Sequence, residues 1–239
     1  MNYSFNTAEL IGLTSENQQL PYSDILKVLD APTFSKHVAE FYSTNQPTID
    51  SMLGGLSYVH IPETRSSVQF LKDLKSQKLF KYKTVLDIGG GIGRVSSHVL
   101  KQMFDNVDML EQSELFINES KVNFAKNHIR NRFCCSIQNM STLDLGKYDL
   151  IWIQWVVGHI SDLEFVELLK NCKQKSEYIV VKDNYSKQGF WFDEKDGNIL
   201  RGLEIFEDIF KAAGLSIVKQ IDPDTWPKDL MPIRIWLLK

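Results

Sequence analysis

The sequence predicts an α/β fold, a mostly parallel sheet with helices on both faces, and three observations support it. Short apolar runs alternate with helix-length amphipathic stretches from about residue 81 to the end. The run Thr84-Val-Leu-Asp-Ile88 leads directly into Gly89-Gly-Gly-Ile-Gly93, a strand followed by a glycine-rich turn. The 239 residues, 43% of them hydrophobic, suffice for one core, and neither an internal repeat nor a low-complexity stretch suggests a second.

The elements follow in order. Residues 1–35 form an N-terminal extension, polar and weakly patterned over its first 30 or so positions. Ala31-Pro32-Thr33 opens a helix that runs through Val38 and Phe41, because proline's missing N–H costs nothing in the first helical turn. Two or three short helices are expected before the sheet, so residues 36–80 make a helical cap and residues 81–239 the sheet core. From Ser66 to Leu79, Val68, Leu71, Leu74 and Leu79 recur at helical spacing with lysines between them. Strands are predicted at Thr84–Ile88, Val107–Leu110, Phe133–Ile137, Leu150–Gln154, Tyr178–Lys182, Leu215–Lys219 and Arg234–Leu238. Helices lie between most of them, at Val95–Met103, Glu114–His128, Leu163–Lys173 and Gly202–Ala213, the last stopped by Gly214. Such βαβ units give parallel strands, and ligands of such sheets sit at the strands' carboxyl ends.

Bulk properties exclude several classes. Twenty-seven basic against thirty acidic residues leave a formal charge of −3, which argues against nucleic-acid binding through phosphate neutralisation. The lysines at 72, 75, 78, 81 and 83 read as a solvated helix face. Cys134, Cys135 and Cys172 have neither a disulfide-framework pattern nor metal-ligand spacing, so no metal is expected. No apolar run reaches the ~18 residues of a membrane span, and no secretory signal opens the chain. The expectation is a soluble monomer of the cytoplasm and nucleus, with neither nucleic acid nor membrane as a partner.

The glycine spacing discriminates between cofactors. Gly89, Gly91 and Gly93 satisfy GxGxG, whereas the dinucleotide fingerprint GxGxxG requires a third glycine where Arg94 stands. A guanidinium at that point suits a carboxylate. Val107-Asp-Met-Leu-Glu111 is the second strand, and a carboxylate at its end can accept from two vicinal ribose hydroxyls. GxGxG after a strand resembles motif I of the class I S-adenosylmethionine-dependent methyltransferases, which implies S-adenosylmethionine as the cofactor.

Two further segments lie at strand ends. Ile151-Trp-Ile-Gln-Trp-Val-Val-Gly-His159 leaves the fourth strand, where an aromatic and a histidine would face a transferred methyl group. Taken alone, Trp155 and His159 read as packing residues. Val180-Val-Lys-Asp-Asn184 ends the next strand, and Phe192-Asp-Glu-Lys-Asp196 then places three carboxylates together, either as a wet loop or as an acidic wall for a cationic substrate.

Together, Pro47-Thr-Ile-Asp-Ser-Met-Leu-Gly-Gly55, Phe133-Cys-Cys135, Ile151 to His159, Val181-Lys-Asp-Asn184 and Pro232-Ile-Arg234 resemble the eukaryotic α-N-terminal protein methyltransferase family, from about residue 40 to the C-terminus. The resemblance implies a seven-stranded Rossmann-like sheet with an N-terminal helical cap, and methylation of the free α-amine of proteins that begin X-Pro-Lys or X-Pro-Arg. It puts Gly89, Gly91, Arg94, Glu111, Gln112, Ile137, Gln138 and Gln154 around the cofactor. It implies that Asn184 holds the peptide beside the α-amine, and that Leu53, Val59 and Trp155 line a pocket for the second-position proline. It also implies that Asp193 meets the third-position cation, and that His159 and Asp196 accept protons. The chain departs from the family at Phe41-Tyr42, where Tyr-Trp is usual, and at Met231, where a tyrosine is usual.

The chemistry suits such groups. A peptide α-amine has a pKa near ~7.8, so a base need only shift a near-balanced equilibrium, whereas a lysine amine near ~10.4 is harder to deprotonate. Two alternatives share these residues: a small-molecule methyltransferase on the same fold, and a binder of basic N-termini without turnover.

Overall fold

Two short strands, β1 (Ile11–Thr14) and β2 (Gln19–Pro21), come first, then helices α1 (Tyr22–Leu29), α2 (Pro32–Ser43), α3 (Ile49–Met52) and α4 (His60–Ser76). Alternation begins with β3 (Thr84–Ile88), α5 (Arg94–His98), β4 (Asn106–Glu111), α6 (Glu114–Glu119), β5 (Asn131–Cys134), β6 (Leu150–Gln154), α7 (Asp162–Lys173) and β7 (Ile179–Asn184). A hairpin, β8 (Phe190–Asp193) and β9 (Asn198–Arg201), interrupts it before α8 (Leu203–Ala212), β10 (Ile217–Ile221) and β11 (Ile233–Leu238). This is a computed structural model, and it describes residues 9–124 and 128–239.

The seven-stranded sheet has the order β10-β11-β7-β6-β3-β4-β5. β11 runs antiparallel to both β7 and β10, and the remaining neighbours are parallel. The central strands are buried on both faces, so β3 and β6 are mostly apolar on both faces rather than alternating, with Asp87 and Gln154 the buried polar exceptions. One face packs under Phe165, Phe206, Phe210 and the α1 residues Tyr22, Ile25 and Leu29. The other packs under Phe70, Leu71 and Leu74 of α4, Val95 of α5 and Val99 just after it. The order reverses at β3, whose neighbours are β4 on one side and β6 on the other, and this crevice positions the site.

The seven predicted strands all form, five with shifted ends, and in β5, β7 and β10 the shift reaches two residues or more. β5 starts at Asn131 rather than Phe133, because Asn131 and Arg130 are tied to Asp108 of β4. Ile137, placed in that strand by its pattern, instead starts a 3-10 turn to Thr142. β10 starts at Ile217, two residues late, because Leu215 N–H still bonds to the Phe210 carbonyl of α8. The helix expected at Glu114–His128 is α-helical to Glu119 and then widens into a π-type turn to Phe124, beyond which the prediction lies outside the described residues.

The largest difference is a second sheet, β2-β1-β8-β9, that the pattern did not announce. In β1 the apolar Ile11 and Leu13 face outward while Gly12 and Thr14 are turned inward, the inverse of the usual code. Gly12 lies so close to Phe190 that a Cβ there would stand 2.4 Å from its ring. β1 pairs parallel with β8, and Tyr22 and Ile25 of α1 are buried in the main core. Residues on both sides of position 35 thus contribute to the main core.

Candidate active site

A cavity of about 940 Å3 opens at the carboxyl ends of β3, β4, β6 and β7. Its floor is the turn after β3, where Gly89 and Gly91 have φ of 69° and 56°, values that favour glycine. A Cβ on Gly89 would lie 2.2 Å from Val156 in the segment after β6, so the two segments meet only because that atom is missing. Glu111, at the end of β4, accepts from Gly91 N–H at 3.0 Å and from Ser113 N–H at 2.8 Å. Burial raises its pKa, although these N–H groups oppose the shift. Under the turn, Asp87 accepts from Ser96 Oγ at 2.6 Å, and burial pushes its carboxyl up to about 7. Gln112, Ile137 and Gln138 line the same side, and the Gln138 amide donates to Glu164 at 2.9 Å.

Arg94 opens α5 and joins a buried cluster. It donates to Glu63 of α4, which also accepts from Lys182 Nζ at 2.6 Å and from Gln154 Nε2 at 2.9 Å. Burial would raise the Glu63 carboxyl, but Lys182 and Arg94 outweigh it and hold Glu63 well below the usual carboxylate range. Two cations against one carboxylate leave one positive charge in excess, and a buried excess of charge favours an anion beside it. A guanidinium has five N–H donors, so Arg94 keeps donors for the cavity it lines. The residues thus fit S-adenosylmethionine: Arg94 for its carboxylate, Glu111 for its ribose hydroxyls, and a glycine turn that leaves room for close approach.

The opposite wall is built around the segment after β6. Trp155 has φ of 54°, a conformation rare outside glycine, and its Nε1 donates to Asn184 Oδ1 at 2.8 Å. Asn184 in turn donates to the carbonyls of Met231 at 3.0 Å and Pro232 at 3.3 Å, tying β7 to the segment before β11. His159 is fixed at both nitrogens: Nδ1 donates to the Gly197 carbonyl at 3.3 Å, and Nε2 accepts from the Tyr42 hydroxyl at 2.8 Å. Burial lowers its pKa to about 4, which leaves a neutral ring. Arg201 clamps the backbone on either side by donating to the Val157 carbonyl at 2.5 Å and the Ile160 carbonyl at 2.7 Å. Its charge is met by Asp162 at 2.7 Å, which also accepts from the Tyr22 hydroxyl of α1 at 2.9 Å.

The structure brings fourteen of the expected site residues to this one cavity: Leu53, Val59, Gly89, Gly91, Arg94, Glu111, Gln112, Ile137, Gln138, Gln154, Trp155, His159, Asn184 and Asp196. Asp193 is not among its lining residues. The three acidic residues of the hairpin part company. Asp196 faces the cavity, with burial and then Asp193 raising its pKa. Glu194 accepts from Ser15 of the N-terminal segment. Asp193 accepts from Lys195 N–H at 3.0 Å, and strand alternation puts it on the face of Trp191, a lining residue, hence at the rim.

Sequence reasoning missed Glu63, Lys182 and Trp226, and it named Tyr42 and Asp183 without giving either a role. A lysine and an aspartate closing an apolar strand were a visible signal at 182 and 183, since buried strands rarely carry charge without a partner. Trp226 had no local signal. It reaches the site from the β10–β11 connection, its ring 6.1 Å from that of Trp155.

Known proteins resemble this geometry and sequence. The chain is 33% identical over 217 residues to the mouse N-terminal Xaa-Pro-Lys N-methyltransferase 1, covering 88% of this chain and 97% of that one. It is 34% identical over 214 residues to the Dictyostelium discoideum alpha N-terminal protein methyltransferase 1, covering 85% and 78%. A solved SAM-dependent methyltransferase from Leishmania major superposes with a TM-score of 0.88 over the full length of both chains, at 26% identity. The model of the AdoMet-dependent proline di-methyltransferase family matches residues 30–239, and the chain belongs to that family of S-adenosylmethionine-dependent methyltransferases.

Proposed function

We propose that the protein transfers methyl groups to the free α-amine of proteins whose exposed N-terminus reads X-Pro-Lys or X-Pro-Arg. The observation that carries this reading is the setting of Trp155. Its indole has the Arg94 guanidinium 5.4 Å from one ring and Trp226 6.1 Å away, while its N–H holds Asn184. A carboxylate-binding corner and an apolar pocket thus meet at one side chain.

Each part has a physical role. Leu53 and Val59 from the cap, with Trp155, form the apolar pocket, and proline's fixed φ limits the entropy lost when it docks there. Asn184 has spent both amide hydrogens on backbone carbonyls, so what it offers a substrate N–H is the remaining lone pair on Oδ1. Asp196 inside the mouth and Asp193 at its rim favour a basic third residue. The cofactor supplies a methyl on a sulfonium, and the amine must meet it unprotonated and in line. His159, neutral through burial, is a proton acceptor, with Asp196 close enough to the Tyr42 hydroxyl beside it to raise that hydroxyl's pKa after burial has done so.

Mass spectrometry of an X-Pro-Lys peptide incubated with enzyme and S-adenosylmethionine should show one-methyl mass steps on the α-amine. A peptide with alanine in second position should react far more slowly. Unmodified X-Pro-Lys and X-Pro-Arg peptides throughout about pH 7 to 9 would defeat the assignment.

A further inference from the structure

We propose that the Tyr42 hydroxyl takes the proton from the substrate amine and that His159 acts behind it, a two-step relay resting on the α-amine reading above. The acceptor lone pair of His159 is already engaged. Gly197 offers Nδ1 a carbonyl, which can only accept, so Nδ1 carries the hydrogen and Nε2 carries the lone pair. The Tyr42 hydroxyl sits 2.8 Å from Nε2, and its single hydrogen points there. The Tyr42 and His159 rings meet edge-on with centroids 5.0 Å apart, and the Phe41 ring also meets that of Tyr42 edge-on at 5.3 Å. An amine approaching Nε2 directly would have to displace that packed hydroxyl. The Tyr42 oxygen still has lone pairs, and Tyr42 lines the cavity.

The proton balance is simple. The substrate ammonium gives one proton to the Tyr42 oxygen as the Tyr42 proton passes to Nε2, leaving a free amine, a neutral tyrosine and an imidazolium. The amine lone pair then forms the N–C bond, and the donor's S–C bond breaks with its electron pair left on sulfur. Burial, followed by the charges of Asp196 and Asp183, raises the Tyr42 pKa, so the hydroxyl passes protons on without becoming a phenolate. Burial and then the Arg201 charge oppose the imidazolium while the Gly197 and Asp196 backbone carbonyls favour it, so His159 holds the proton only transiently.

Tyr42→Phe separates a relay from direct attack on His159, because the two predict opposite signs. In the relay, single-turnover methyl transfer to an X-Pro-Lys peptide falls by roughly 100-fold or more and loses its solvent deuterium isotope effect. His159→Gln falls comparably, and the double variant is no slower than the worse single one, as expected for two groups on one path. Binding of S-adenosylhomocysteine, read by calorimetry, should stay at the wild-type value in Tyr42→Phe and so report an intact fold. If Tyr42→Phe transfers methyl as fast as wild type or faster, Nε2 serves the amine directly and the relay is wrong. Additive losses in the double variant overturn it equally. Failure of the wild-type chain to methylate the peptide would remove the substrate assignment and the relay together, whereas normal wild-type turnover with an indifferent Tyr42→Phe removes the relay alone.

Discussion

Asp183 is a buried carboxylate with only one of its oxygens hydrogen-bonded. Its Oδ1 accepts from Asn184 N–H at 2.8 Å, but among the described residues no donor makes a well-formed hydrogen bond to the buried Oδ2. Burial pushes its pKa up to about 7 against the pull of the Asn184 N–H, the Arg201 charge and the Val157 N–H. Because this value exceeds the unfolded one, near ~3.9, the folded state binds the proton more tightly, and stability falls as pH rises between the two values. Asp183→Asn should therefore stabilise the ligand-free protein at pH 8 by on the order of 1–3 kcal/mol, and by much less at pH 5. Thermal melts across that range decide it, and identical melting temperatures at pH 8 would contradict the penalty. Such a cost is tolerated where function needs the group. The neighbouring Lys182 shows how far a sequence can be read at this scale. Its strand was legible from apolar residues on either side, but its partner Glu63 lies 119 positions away on a helix, and no local spacing names a contact made by tertiary packing.

The elements that carry the cofactor turn were legible for the same reason that they are buried. β3 and β6 are apolar save for Thr84 and Asp87 in β3 and the closing Gln154 in β6, and both occupy their predicted spans, Thr84–Ile88 and Leu150–Gln154. The β8–β9 hairpin was not legible, because three acidic residues at its tip outweigh the buried Phe190 and Phe192 in any local reading. Nor was β1, whose apolar side chains face outward. Yet these two strands are coupled: Leu13 pairs with Trp191, Ser15 N–H donates to the Phe192 carbonyl at 2.7 Å, and Ser15 Oγ donates to Glu194. The N-terminal strands thus position the hairpin that presents Asp196. Deleting residues 1–21 should raise the peptide KM roughly five- to tenfold, the equivalent of about 1–1.4 kcal/mol, while the affinity for S-adenosylhomocysteine stays constant. Steady-state kinetics and calorimetry on the truncated chain test this. An unchanged KM would mean that the hairpin holds its own shape, and a lost cofactor affinity would mean that the strands support the whole fold rather than one wall.

At the scale of the whole molecule, the sheet separates two kinds of electrostatics. The cofactor corner is a buried excess of positive charge around Arg94 and Lys182, whereas the substrate mouth is acidic, with Asp196 inside and Asp193 at the rim, on a chain of net charge −3. Salt screens the two unequally: the Debye length shrinks from about 10 Å at 0.1 M to about 3 Å at 1 M, which weakens exposed pairs far more than buried ones. A rim contact such as that of Asp193 is worth roughly 0.2–1 kcal/mol, and with the half-buried Asp196 beside it the pair amounts to a several-fold effect on affinity. The KM for an X-Pro-Lys peptide should therefore rise several-fold between these salt concentrations. The KM for X-Pro-Gln, which lacks the third-position charge, should change little, and so should cofactor affinity. The comparison isolates the charge at the third residue from any general effect of salt on the fold. Equal responses from the two peptides would show that the acidic hairpin does not read that residue, and would leave the apolar pocket around Trp155 as the main source of selectivity.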